Sequence, residues 1–280
     1  MTLTKVKLNF FVVITTAFGA ILQTGFSQIP WLTMVHTILG TGAAALGAAA
    51  FNQLLEIEHD RNMERTADRP LPARRMSVYF AFTVAWILCG FGIIHLSSTT
   101  NLVAAALTAS TIALYIFVYT PLKRKSALNT LIGAIPGAIP PVVGWVALGG
   151  ELFSFEALFL FAILFFWQMP HFLAINWLCR DEYQQAGYVM WAEGDDQGVK
   201  TTQLSYVYTS PLILMPIVFA CLNGMYWWAA GTLALAAAWM VFNIFKFSQS
   251  PTKEVARKFF FSTLIYLPIA LLISVLGWQN

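Results

Sequence analysis

Asn52, Glu56 and Asp60 stand four residues apart along the chain. On a helix that spacing stacks the three side chains on one face. An amide and two carboxylates in a column make a hard-oxygen site. It suits Mg²⁺, which keeps several waters and bridges a few carboxylates to substrate phosphates. Carboxylates held so close repel one another, so a cation among them is the physical expectation. The column fits as well a solvated helix end whose acids pair with Arg61 and Arg65. A second acidic group comes later, Asp181 and Glu182, with Gln185 four residues beyond Asp181. Between the two groups lie Tyr119 and the three adjacent bases Lys123, Arg124 and Lys125. Such bases can hold a diphosphate, Lys as a point charge and Arg as a fork. They also serve as a plain anchor at a membrane edge, which is the preferred reading for Lys125.

The elements that must position these groups are membrane spans. The chain has 280 residues, 58% hydrophobic and 10% charged, with a mean hydropathy of +0.68. Soluble domains carry about 25% charged residues, so an ordinary water-soluble enzyme is excluded, and so is a disordered chain. A spanning helix needs about 20 mostly apolar residues. Nine such stretches are present, roughly 9–27, 31–53, 77–97, 99–119, 129–149, 153–178, 203–223, 225–245 and 258–278. The expected architecture is therefore all-α, a bundle of nine transmembrane helices forming one domain over residues 1–280. All 16 Lys and Arg residues fall in the N-terminal tail and in alternate interspan segments. The positive-inside rule then places the N-terminus in the cytoplasm and the C-terminus outside. Only Glu151 and Glu156 among the acids lie on the outer side. Two cytoplasmic segments, 54–76 and 179–202, are long and acidic, and long loops in a compact fold are usually functional.

Several uncharged positions within the spans also matter. Span 6 carries Trp167, Gln168 and His171 close to Pro170. A histidine there is costly and tends to face the bundle interior. It fits a substrate contact, or a hydrogen-bonded packing residue. The small-residue run from Gly40 to Ala50 permits close helix approach or leaves room for a flat ligand. Gly133, Gly137, Pro136, Pro140 and Pro141 imply a broken or closely packed helix. Cys89, Cys179 and Cys221 form no CxxC, so neither a disulfide framework nor a thiolate metal site is suggested.

The run Asn52 to Leu71 reads Asn-x-x-x-Glu-x-x-x-Asp-x-x-Met-x-Arg-Thr-x-x-Arg-Pro-Leu. It resembles the first motif of the UbiA superfamily of intramembrane prenyltransferases. The stretch Tyr119–Trp145 and the sequence Gln168-Met169-Pro170-His171-Phe172 are similar to the haem O synthase branch of that superfamily. Two departures stand out. Glu56 replaces the usual first Asp, and Gln185 stands where a second acid of the later motif is usual.

The resemblance implies an Mg²⁺-dependent transfer of a farnesyl group from farnesyl diphosphate to a vinyl group of haem b, with water addition, giving haem O. It implies Asn52, Glu56, Asp60 and Asp181 as metal ligands, with Glu182 as substitute. Arg65, Arg69, Lys123, Arg124 and Tyr119 would bind diphosphate, and Asp60, Asp181 and Lys123 would carry catalysis. Trp167, Gln168 and His171 would line the haem pocket. The implied setting is a bacterial inner membrane. A haem A synthase or terminal oxidase is a family-level partner, and no nucleic acid is expected. Two other readings are a prenyltransferase acting on a quinone ring or chlorophyllide, and a haem-handling transporter. The Tyr119–Trp145 and Gln168–Phe172 stretches argue against the first. Charges gathered at one face rather than at the midplane argue against the second.

Overall fold

A computed structural model of the chain describes residues 3, 4 and 6–279, without the side chains of residues 6–8 and 65. The structure is built from helices in the order α1 (Val6–Thr24), α2 (Trp31–Leu55), α3 (Ile57–Arg61), α4 (Glu64–Ala67), α5 (Val78–Thr99) and α6 (Leu102–Ala113). A π-helical turn, Leu114–Tyr119, then leads into α7 (Thr120–Leu122). There follow α8 (Asn129–Ala138), α9 (Pro140–Ala147), α10 (Phe155–Leu178), α11 (Arg180–Gln185), α12 (Val199–Cys221), α13 (Trp227–Gln249) and α14 (Lys253–Gly277).

Among the described residues, eight helical stretches are long and apolar enough to cross a membrane, with α6 to α7 and α8 to α9 each counting as one. The ninth expected span is the shorter apolar part of α1, Asn9–Thr24. Large apolar side chains such as Phe80, Trp86, Leu102, Phe117, Phe155, Trp227 and Leu235 are exposed on the outside, as lipid contact requires. The chain is a polytopic membrane protein.

Local chemistry sets the helix ends. Asn101 Oδ1 accepts the Ala104 N–H at 2.9 Å and opens α6. Ser154 Oγ does the same for α10 with the Ala157 N–H at 3.1 Å. The buried Asp195 carboxylate takes the N–H groups of Lys200 and Thr201, at 3.1 and 2.8 Å. These bonds satisfy otherwise orphaned donors, and they start α12 at Val199, four residues before the expected edge at 203. Asp195 is thus a structural acid within the second acidic segment.

Neighbouring helices form a ring: α1 on α2 and α9, α2 on α5, α5 on α6, the π turn on α8, α8 on α10, and α10 on α12 and α14, with α13 between the last two. The small-residue run of α2 lies directly on α5. A Cβ at Gly40 would strike Leu96, and one at Gly47 would strike Cys89 and the Ala85 carbonyl. That run therefore serves close helix packing rather than a ligand. The Gly/Pro stretch does both things its composition suggests. The helix breaks at Ile139 ahead of Pro140 and Pro141. Gly19 and Gly144 then let α1 and α9 touch backbone to backbone, at the Pro141 and Thr16 carbonyls.

Candidate active site at the basic end of the bundle

Asn52, Glu56 and Asp60 do share one face, although the helix carrying them is not continuous. Glu56 ends α2 at φ −107°, and α3 begins at Ile57. The backbone keeps the four-residue register through the bend. The Glu56 N–H donates to Asn52 O at 3.1 Å and the Asp60 N–H to Glu56 O at 2.8 Å. All three side chains are buried, at 0%, 3% and 2% exposure.

Cations from elsewhere in the chain meet this column. Lys123 Nζ pairs with Glu56 Oε1 at 2.8 Å, and Arg69 Nη1 pairs with Asp60 Oδ2 at 2.5 Å. Arg61, one partner expected from sequence, pairs instead with the exposed Glu58 at 2.9 Å. The Arg65 side chain lies outside the described residues. Burial alone would pull Lys123 down, but the Glu56 carboxylate outweighs it and holds the ammonium well above the ordinary lysine range. Lys123 also sits 4.5 Å over the Tyr119 ring, which stacks on Tyr115 at 5.4 Å.

The π turn places this group. Its wider loop leaves the Tyr115 carbonyl to accept both the N–H and the hydroxyl of Thr120, the latter at 2.7 Å. Asn52 Nδ2 donates to the same hydroxyl at 3.2 Å. The first motif is thereby tied to the Tyr119–Lys123 turn. Gly133 of α8 makes room for the Tyr119 ring, which a Cβ would strike. Thr120 and the π turn were not singled out from sequence. Pro121, which lacks an N–H and cannot continue the helical ladder, was the available signal.

Arg124 lies apart from the carboxylate column. Its Nη2 donates to the Leu55 carbonyl at 2.5 Å, at the C-terminus of α2, and the residue is exposed. A cation there complements the helix dipole.

The second acidic segment covers the first. Its backbone is pinned by the Val189 N–H donating to Lys123 O, and by Asn129 Nδ2 donating to Val189 O, both at 2.8 Å. Met63, Ala186, Tyr188 and Met190 pack into a small apolar cluster between the two segments. Within α11, Asp181 is exposed and faces Arg180 and Lys253, at 3.8 and 3.9 Å. Glu182 is half-buried, and its Oε2 is buried with no hydrogen-bond partner. Gln185 is exposed. Among the described residues, no three His, Cys, Asp or Glu side chains converge as a metal cluster.

The three expected haem-pocket residues on α10 divide into two directions. Trp167 Nε1 donates to Thr263 O at 2.7 Å, and His171 Nδ1 meets Thr263 Oγ1 at 2.9 Å. Both therefore face α14, with His171 stacked on Trp167 at 5.2 Å and near Phe260 at 4.9 Å. Gln168 instead is buried against Gly137 of α8. One turn pair further along the same face, Asn176 Nδ2 donates to Thr130 Oγ1 at 3.2 Å.

A ring of membrane helices carrying two buried acid–base pairs at one end is an arrangement for holding a charged headgroup beside apolar spans. The profile of the UbiA prenyltransferase family matches residues 12–265, and the chain belongs to that family. Its curated relatives include the mitochondrial protoheme IX farnesyltransferase of Arabidopsis thaliana, 38% identical over 95% of this chain and 62% of that protein. They also include the protoheme IX farnesyltransferase of Koribacter versatilis, 36% identical over 98% of this chain and 91% of that protein. This chain thus spans less than two thirds of the plant relative and nearly all of the bacterial one. The fold matches that of a UbiA homologue from Archaeoglobus fulgidus solved with DMAPP and Mg²⁺. That likeness has a TM-score of 0.70 at 11% identity, over 97% of this chain and 98% of that one.

Proposed function

We propose that this chain is a haem O synthase, which transfers the farnesyl group of farnesyl diphosphate to a vinyl group of haem b. The observation that carries the proposal is the pair of buried ion pairs, Glu56–Lys123 and Asp60–Arg69, set in a chain whose full-length relatives carry the protoheme IX farnesyltransferase name.

In the reaction, the farnesyl C–O bond breaks and its electron pair leaves with diphosphate. The vinyl terminus forms the new C–C bond. Water adds to the carbon next to the macrocycle and gives up a proton, leaving a hydroxyethylfarnesyl group. Lys123 and Arg69 offer fixed positive charge to the departing diphosphate, which lowers the barrier where charge develops. Tyr119 holds the Lys123 ammonium over its ring. The π turn and Thr120 keep this group in register with Asn52.

The donor chemistry of the first motif fits Mg²⁺, since two buried carboxylates and an amide supply only hard oxygens. Asn52, Glu56 and Asp60 would hold it, and Glu182 of the second segment bears a buried carboxylate oxygen without a hydrogen-bond partner. When bound, the metal supplies Lewis-acid neutralisation of the diphosphate. Glu56 and Asp60, now paired with Lys123 and Arg69, would be the carboxylates that hold such a metal, and Lys123 and Arg69 would be the cations left to the diphosphate.

The Nδ1 of His171 is engaged by Thr263, so Nε2 is the nitrogen available to a haem substrate. Trp167 and Phe260 give that ring flat apolar neighbours. The basic end of the bundle faces the cytoplasm under the positive-inside rule, and a bacterial inner membrane is the matching location. A haem A synthase or terminal oxidase would take the product.

The test is a membrane assay with haem b and farnesyl diphosphate, with and without Mg²⁺, read by mass spectrometry. Asp60→Ala and Asp181→Ala variants run beside wild type. The expected result is a haem O mass that needs Mg²⁺ and is lost in both variants. No haem O from folded, haem-loaded wild type would overturn the proposal, and quinone-type acceptors would be tried next.

A further inference from the structure

Tyr188 lies just past α11 and is 6% exposed, yet its hydroxyl oxygen is buried with no hydrogen-bond partner. Buried hydroxyls are nearly always bonded, so this one asks for an explanation. Its ring is held from every side. His59, next to Asp60, stacks on it at 5.3 Å, and Tyr183 meets it edge-on at 6.2 Å. Met63, Ala186 and Met190 enclose it. The following residue is tied to the Lys123 carbonyl through the Val189 N–H.

The ring stands 5.8 Å from Lys123 Nζ. Its hydroxyl lies within electrostatic reach of Glu56, Lys123, Asp60 and Arg124. Burial, reinforced by Glu56, pushes the phenol above the ordinary tyrosine range, so it remains a proton donor at physiological pH. Packing therefore fixes the ring among the charged groups of the first motif and the Lys123–Arg124 turn and leaves only the O–H unused.

We infer that Tyr188 is a substrate-binding residue, whose O–H donates a hydrogen bond to the diphosphate beside Lys123. A neutral donor to an anionic oxygen is stronger than a neutral pair and adds no charge to a site already holding two cations. The inference rests on the prenyl-transfer reading above, and it names a residue outside both metal motifs.

Tyr188→Phe separates this role from a structural one, because it keeps the ring, the His59 stack and the apolar cluster. Detergent-solubilised protein is titrated with Mg²⁺ and inorganic pyrophosphate, and KM values are measured for farnesyl diphosphate and for haem b. The expected result for Tyr188→Phe is pyrophosphate affinity down about tenfold and KM for farnesyl diphosphate up similarly. KM for haem b should stay unchanged, and ligand-free thermal stability should equal or exceed that of wild type. Pyrophosphate affinity within twofold of wild type, with wild type still making haem O, would overturn the role of Tyr188 alone. A lower ligand-free midpoint would overturn it too, since the hydroxyl would then have an internal partner. A wild type that neither binds Mg²⁺–pyrophosphate nor makes haem O would overturn the prenyl-transfer reading and this inference with it.

Discussion

Lys123→Met leaves Glu56 in a buried setting without its ammonium. The two groups are 2.8 Å apart, with side chains only 14% and 4% exposed. At an effective dielectric near 20 the attraction over that distance is about 6 kcal/mol. Desolvation offsets part of it, and breaking such a pair by removing one partner typically costs about 3–5 kcal/mol. In detergent this should lower the thermal midpoint by about 10 °C. Glu56→Gln in the Lys123→Met background removes the charge that Lys123 balanced and should restore most of that loss. Activity should behave differently. Without the cation that meets the diphosphate, haem O formation should fall about 10²–10³-fold in the single and the double variant alike. The assays are thermal unfolding and product formation on the same preparations. A single variant within about 1 kcal/mol of wild type, or a double variant no more stable than the single, would refute the reasoning.

The same pair makes a pH prediction. Lys123 is held above the ordinary lysine range, so its contribution is fully present below the unfolded lysine value of about 10.4 and is lost as pH rises from there through the raised folded value. The midpoint gap between wild type and Lys123→Met, measured with chelator present, should stay flat from about pH 7 to 10. A gap that closes by pH 9 would contradict this. Gly144→Ala drives a methyl into the Thr16 carbonyl and should cost at least about 1–3 kcal/mol. Gly90→Ala meets nothing within 4 Å and should be neutral or stabilising by up to about 1 kcal/mol; equal midpoints for the two would undo the packing argument. Thr263→Val removes the hydroxyl at His171. It should raise KM for haem b without moving KM for farnesyl diphosphate, and a change in the second alone would take His171 out of the haem site.

Much of this was legible in the sequence because the signals were local. Apolar runs of about 20 residues and alternating basic segments mark nine helices. Spacing alone puts Asn52, Glu56 and Asp60 in a column, and the structure keeps that column through the bend at Glu56. Partner choice was not local. Which of several bases meets which acid depends on how α7 and the Arg69 turn fold over the column; helical spacing pointed to Arg61 and Arg65, of which Arg61 pairs with Glu58 and the Arg65 side chain lies outside the described residues. The orientation of α11 is a tertiary matter too, so the sequence could not say that Asp181 would face Lys253 while Glu182 turned inward. On α10, residues 167, 168 and 171 sit close enough in sequence to suggest one pocket. One residue is 100° of rotation on a helix, which is enough to send Gln168 to α8 and Trp167 with His171 to α14.

The π turn at Leu114–Tyr119 has a consequence for insertions and deletions. It holds one residue more than an even helix needs, and its wider loop absorbs that residue so that the helix on either side keeps its phase. Deleting a single residue within 114–119 would let the segment close into a regular helix with both flanks in nearly the same phase. The bilayer would accept it and the outer face would look unaltered. Inserting one residue of regular helix instead would swing Tyr119 and Lys123 by about 100° around the axis, away from Glu56, and a well-inserted protein would be catalytically silent through a change of phase alone.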